Sequence, residues 1–262
     1  MKLAKLRPPR LQTAAGEEGH RAATWLELFY DLVFVVAVAG LGHRLLVDPS
    51  WKGGVAFIGF FIPLWWAWAG YTFYADRFDT DDFVQRNLAA AQIMAVAFMA
   101  ASVGGEETDS SFAFGVAFIL ARSLLVIMYL RARRHVPETR ELVTGYAVGM
   151  TAAIAVWAVS LLVPEELRIA LWALGLGIDF YNIWRLRKIQ AKVPLSNSHL
   201  PERFGLFTIL VLGESIASVV AGLEHEGWKL TPCSGAILGV ILATGLWGIY
   251  FDNVEGSVVR RA

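Results

Sequence analysis

The sequence predicts an all-α integral membrane protein, a bundle of about eight transmembrane helices. Three observations lead there: the composition, the length of the uncharged runs, and the placement of Lys and Arg. Of 262 residues, 56% are hydrophobic and 18% are charged, against about 45–50% and about 25% in an ordinary soluble domain. Mean hydropathy is +0.51. Lys plus Arg and Asp plus Glu each number 23, so net charge is zero. Low charge and high hydrophobicity exclude a disordered chain. A lone cysteine, Cys233, excludes a disulfide scaffold. With no positive excess to displace counterions, no nucleic-acid partner is expected.

Residues 1–24 hold Lys2, Lys5, Arg7, Arg10, Glu17, Glu18 and Arg21 with no apolar core. They are read as a soluble, mobile cytoplasmic tail and not as a signal peptide. The first span, 25–46, opens with Thr24-Trp25-Leu26-Glu27, a capping-box pattern. Further runs follow at 54–74, 86–104, 111–130, 142–163, 167–185, 203–222 and 234–251. Each is near the roughly 20 residues that cross about 30 Å of hydrocarbon. They are continuous, not alternating, and too long for barrel strands of about ten residues. Helices satisfy their own backbone polar groups in lipid. The organisation expected is therefore a tail over 1–24, a transmembrane domain over 25–252, and a cytoplasmic tail over 253–262.

Charge sets the orientation. With the N-terminus inside, the inner segments carry 18 of the 23 basic residues, the outer segments carry only Arg44, Lys52, Arg168 and Lys229, and Arg122 lies in a span. Positive residues favour the cytoplasmic side, which predicts that both termini lie inside. The outer run 104–109 has no basic residue. Gly145 with Gly149, and Gly235 with Gly239, have the spacing that lets helices approach closely.

An ionisable group at bilayer depth costs about 2.5–3.5 kcal/mol and faces the bundle interior. Glu27 and Asp31 are one turn apart on one face, about 6 Å along the axis. Glu27 also reads as a cap; Asp31, deeper, does not. Glu214 is twelve residues beyond Glu202, about 18 Å along the seventh span. Arg122 lies at similar depth, so a Glu214–Arg122 pair is expected, with Asp179 as the competing partner. The run from Asp76-Arg77 through Asp79 to Asp82 reads either as a magnesium or diphosphate site or as a solvated loop with an Asp82–Arg86 pair. Asp76 is nearest the membrane. At the start of the seventh span, Pro201 and Glu202 suit a helix N-terminus, and Arg203 follows. The histidines lack metal-ligand spacing. The mid-span cluster Trp65-Trp66-Ala67-Trp68 reads as packing or as a pocket wall, with packing preferred. Together Glu27, Asp31, Asp76, Arg122, Asp179, Glu202, Arg203 and Glu214 are the candidate proton or ion site. No cofactor or metal is expected.

Glu27-Leu28-Phe29 is echoed by Glu202-Arg203-Phe204, and Phe73-Tyr74-Ala75-Asp76 by Ile249-Tyr250-Phe251-Asp252. Six spans separate the copies, as in a parallel internal repeat with helices 1–2 resembling 7–8. The same segments, with Leu64-Trp65-Trp66 and the run from His199 through Gly205-Leu206-Phe207 to Leu212-Gly213-Glu214-Ser215, resemble the bacterial low temperature requirement A (LtrA) family. The resemblance runs from about Trp25 to Asp252. It implies a multi-pass membrane protein linked by name to growth in the cold. It also implies further helices in longer members, so that the chain is either a fragment or completed by a second copy or a partner chain.

Three functions are compatible with these residues. A transporter or channel for a small solute or ion, with intramembrane carboxylates as proton or cation sites, is preferred. The alternatives are an intramembrane enzyme acting on prenyl or diphosphate lipids, and a structural or sensory membrane protein. No Lys lies in a span, so a retinal-type Schiff base is excluded. No Gly-x-x-x-x-Gly-Lys-Ser/Thr loop is present for nucleotide-driven pumping.

Overall fold

The computed structural model describes residues 8–11, 24–79, 82–104, 110–193 and 199–259. Most of the 1–24 tail, the acidic outer run 105–109, Thr80 with Asp81, and Arg260 with Arg261 lie outside them. Among the described residues there are eight helices: α1 (Trp25–Val47), α2 (Trp51–Arg77), α3 (Phe83–Gly104), α4 (Ser110–His135), α5 (Arg140–Ser160), α6 (Glu165–Gln190), α7 (His199–Glu226) and α8 (Leu230–Val259). Seven cover their predicted apolar runs and extend beyond them, because the polar residues at the ends continue the helix; α5 starts two residues early but ends at Ser160, three residues short of the 142–163 run. Seven are long and apolar enough to cross a membrane; α6, at 26 residues, is long enough but carries more charge.

The chain divides into two units, Met1–Leu200 and Pro201–Ala262. In the first, α1 packs on α2 and α3, α3 on α4, α4 on α2 and α5, and α5 on α6. Short extended pieces, β1 (Arg10–Leu11) and β2 (Phe78–Asp79), pair antiparallel, which places part of the expected tail against the end of α2. Toward the N-terminus of α4 the core is an aromatic layer. Phe60 of α2 meets Phe114 edge-on at 5.0 Å, Phe118 lies 4.0 Å from Trp157, and Trp157 stacks on Trp172 at 4.6 Å. All five are buried. Trp172 donates to the Ser160 hydroxyl and Arg168 donates to the Ser111 hydroxyl, which ties α4, α5 and α6 at that end.

Outward faces of these helices carry large apolar side chains, among them Val36, Ile58, Phe98, Val116 and Val148. A soluble protein rarely exposes so continuous an apolar surface; a bilayer covers it. Exposed Trp25, Trp51 and Trp184 sit near helix ends, where aromatic rings favour the membrane–water interface.

The second unit is the hairpin of α7 and α8, turned by Gly227–Lys229, with Gly227 at φ 79°. A side chain is strained in that conformation. Gly239 meets Val219 across the hairpin. The α1–α2 connection, residues 48–50, is equally short. The two segments of the suggested repeat are thus both helical hairpins on three-residue connections.

A buried charge cluster and its cavity

The middle of the first unit contains a guanidinium–carboxylate–indole cluster. Arg122 is the thirteenth of 26 residues in α4, and Asp179 the fifteenth of 26 in α6. Both therefore sit near the middle of helices about 39 Å long. Arg122 Nη2 lies 2.6 Å from Asp179 Oδ2, and the two side chains are 3% and 4% exposed. Trp66 Nε1, from the middle of α2, donates to the same oxygen at 3.0 Å. Gly70, one turn on, lies against this guanidinium: a Cβ there would be 2.9 Å from Arg122 Nη1. Three helices thus share one acid near the middle of their lengths. Such a pair survives there only because each charge is matched and hydrogen-bonded.

Of the two partners expected for Arg122, Asp179, the alternative, is the one found within the first unit. Helix α6 packs beside α5, which packs beside α4, and that adjacency is not written in the depth of a residue along its own span. Glu214 is half-buried on α7. Asp31 is fully buried and has another donor: Trp68 Nε1 reaches Asp31 Oδ1 at 2.7 Å. Trp66 and Trp68 are two residues apart on α2, so their side chains leave the helix about 200° apart. Helix α2 is therefore a spine that offers one indole N–H to the acid of α6 and another to the acid of α1. The tryptophan cluster, expected as bulk packing, supplies hydrogen-bond donors. Hydropathy hides that capacity, because the indole counts as apolar while its N–H is a donor.

Glu27 is buried and completes the capping box: Thr24 N donates to Glu27 Oε2 at 2.8 Å, and Glu27 N to Thr24 Oγ1 at 3.3 Å. Asp76 is fully buried near the end of α2. Glu202 is exposed in the first turn of α7, and Arg203 is fully buried. Asp82 is fully buried, accepts from Gln85 N at 2.8 Å at the start of α3, and pairs with Arg131 of α4. The side chains of Asp79 and His199 lie outside the description.

A cavity of about 160 Å³ begins at the cluster and extends toward the C-terminal ends of α2 and α6. Trp66, Arg122 and Asp179 line one end, Arg77 and Gln190 the other, with Tyr129 and Tyr146 between. Trp66 to Arg77, and Asp179 to Gln190, are each eleven residues, about 16 Å of helix. Neither Asp31 nor Asp76 lines it. The aromatic layer fills the bundle beyond the cluster in the other direction. Arg77 was the residue missed. Counted from the apolar run, the second span stops at residue 74, but α2 continues to Arg77 and carries it into the bundle.

The fold and this cluster define a multi-pass helical membrane protein with an ion pair at the centre of its bundle. The chain belongs to the family described as bacterial low temperature requirement A protein (LtrA), which it matches over residues 22–262. It is 28% identical over 258 residues to a protein of Rhizobium meliloti (strain 1021) described as uncharacterized protein RA0937. The match covers 92% of this chain and 61% of that relative, so the chain spans about three fifths of the relative's length. No solved structure matches the chain.

Proposed function

We propose that this protein moves a small solute or ion across the bacterial inner membrane, with the Arg122–Asp179 pair as the switch at the closed end of a cavity that faces the cytoplasm. The observation that carries the reading is the continuity of the cavity from the mid-bundle pair to Arg77 and Gln190. The Lys and Arg bias puts the latter end inside. The aromatic layer of Phe60, Phe114, Phe118, Trp157 and Trp172 closes the other side. A proton or cation arriving at Asp179 weakens its hold on Arg122, and the freed guanidinium then biases the bundle toward a second arrangement. A ligand shifts such an equilibrium only by its differential affinity for the two states, and a breakable ion pair provides that difference. The lipid-enzyme alternative has less support, because Asp82 is already committed to Arg131 and to the start of α3.

The test is flux into proteoliposomes under a pH gradient, with wild type, Asp179→Asn and Glu214→Gln. Wild type should accumulate solute, and Asp179→Asn should slow uptake by at least about tenfold, equivalent to 1.4 kcal/mol. Equal flux in wild type and Asp179→Asn, or none from wild type for any ion, amine or acid tried, overturns the reading. A loss confined to Glu214→Gln moves the switch from the cavity to α7.

A further inference from the structure

We infer that the inner half of the cavity is an anion site, where Arg77 binds the carboxylate of a small acid whose apolar or aromatic body lies along the cavity wall. The inference rests on the transport reading for the cavity's role as a solute path, but binding there is measurable without flux.

The charge balance points to it. Two guanidiniums, Arg77 and Arg122, line the cavity with one carboxylate, Asp179, which Arg122 already holds. Arg77 is 4% exposed. Its hydrogen bonds, from Nη1 to Tyr146 Oη and from Nη2 to Val193 O, are both 3.5 Å long. Those are beyond the usual 2.7–3.2 Å range. Its Nε has no hydrogen-bond partner among the described residues, and neither does Arg122 Nε. No carboxylate among the described residues pairs with Arg77. A guanidinium stays charged at any physiological pH, and a buried charge is costly until it is matched. One monoanion restores the balance.

The chemistry of that anion follows from the walls. A carboxylate fits the flat fork of a guanidinium with two parallel hydrogen bonds. Arg77 lies over the Tyr146 ring at 5.8 Å. Trp66, Phe73, Met150 and Ile183 supply an apolar surface for the rest of the molecule. A doubly charged phosphate would meet one excess positive charge and a largely apolar wall. About 160 Å³ holds a few-carbon or single-ring acid, since one water needs about 10–15 Å³ on this measure.

The test is equilibrium binding to the full chain in lipid nanodiscs, read by radiolabel and by thermal melting. The probes are acetate, butyrate and benzoate, with benzamide as the uncharged analogue and inorganic phosphate as the apolar-free anion. Butyrate or benzoate should bind saturably and raise the melting temperature; benzamide and phosphate should bind at least about tenfold more weakly. Arg77→Gln should lose the acid by at least about tenfold, and Arg77→Lys should keep part of it. Met150→Trp fills the cavity without touching the charge and should also abolish binding, which keeps the test decisive if Arg77→Gln does not fold. No saturable binding of any of the acids, equal binding in wild type and Met150→Trp, or phosphate competing as well as benzoate overturns the inference. Acid binding without flux leaves the anion site and removes the transport reading. Flux of another solute without acid binding removes the anion site alone.

Discussion

Asp179 accepts from two donors that belong to different helices, and this sharing makes its removal unequal to the removal of its partners. Asp179→Leu strands Arg122 as a buried unmatched charge, which costs about 3–5 kcal/mol. Replacing both, Arg122→Met with Asp179→Leu, removes that penalty. It still leaves the Trp66 N–H without an acceptor, at about 1–3 kcal/mol. Adding Trp66→Phe removes that as well. Melting temperatures in detergent should therefore rank wild type and the triple variant highest, then the double, then the single. A double variant no more stable than Asp179→Leu alone would mean that the pair is not an isolated unit. The triple variant should fold and yet fail in flux, which separates holding the bundle together from moving a solute.

Between helices, small residues decide contact, and the two glycine pairs differ. A Cβ at Gly149 would lie 2.1 Å from Asn182 Nδ2, and one at Gly145 would lie 2.6 Å from Leu186 Cδ2. Asn182 also donates to Gly145 O at 3.1 Å across the α5–α6 interface. Of the second pair, Gly239 touches Val219, while Gly235 has nothing within 4 Å. Gly149→Ala should therefore lower stability by about 1–3 kcal/mol through overpacking. Gly235→Ala should be neutral or gain up to about 1 kcal/mol of helix propensity. A melting series that ranks the two the other way contradicts this account of the α5–α6 interface. The spacing of these glycines was legible in the sequence; which of them touch a neighbour was not, because spacing fixes a helix face but not what that face meets. The same limit applies to the site. Arg122 and Asp179 stood out as charges in apolar runs, and the spans stood out by length. Their pairing depends on the order in which helices pack. The roles of Trp66 and Trp68 were hidden by their apolar bulk, and Arg77 by a span boundary set three residues too early.

For the whole molecule, arrangement in the bilayer turns on α6. Its ends carry Glu165, Glu166, Arg168, Arg185, Arg187 and Lys188, and it is the one helix of the eight outside the set apolar enough to cross by composition. Its interior argues that it crosses. Asp179 is neutralised by Arg122 and bonded to Trp66, and Arg168 at its start is tied to Ser111 and Ser160. The remaining end charges suit the headgroup region, where long basic side chains reach water. If α6 crosses, three helices (α5, α6 and α7) separate Arg133 from Lys229, and an odd number puts the two on opposite sides. If α6 lies on the surface, they share a side. In a Cys233→Ser background, single cysteines placed by Arg133→Cys and Lys229→Cys, both exposed positions, decide between these. A membrane-impermeant maleimide on intact cells should label Lys229→Cys at once and Arg133→Cys only after permeabilisation. The reverse pattern inverts the topology but keeps α6 as a span. Labelling of both from one side takes α6 out of the membrane, and with it the depth of Asp179 and the closed end of the cavity.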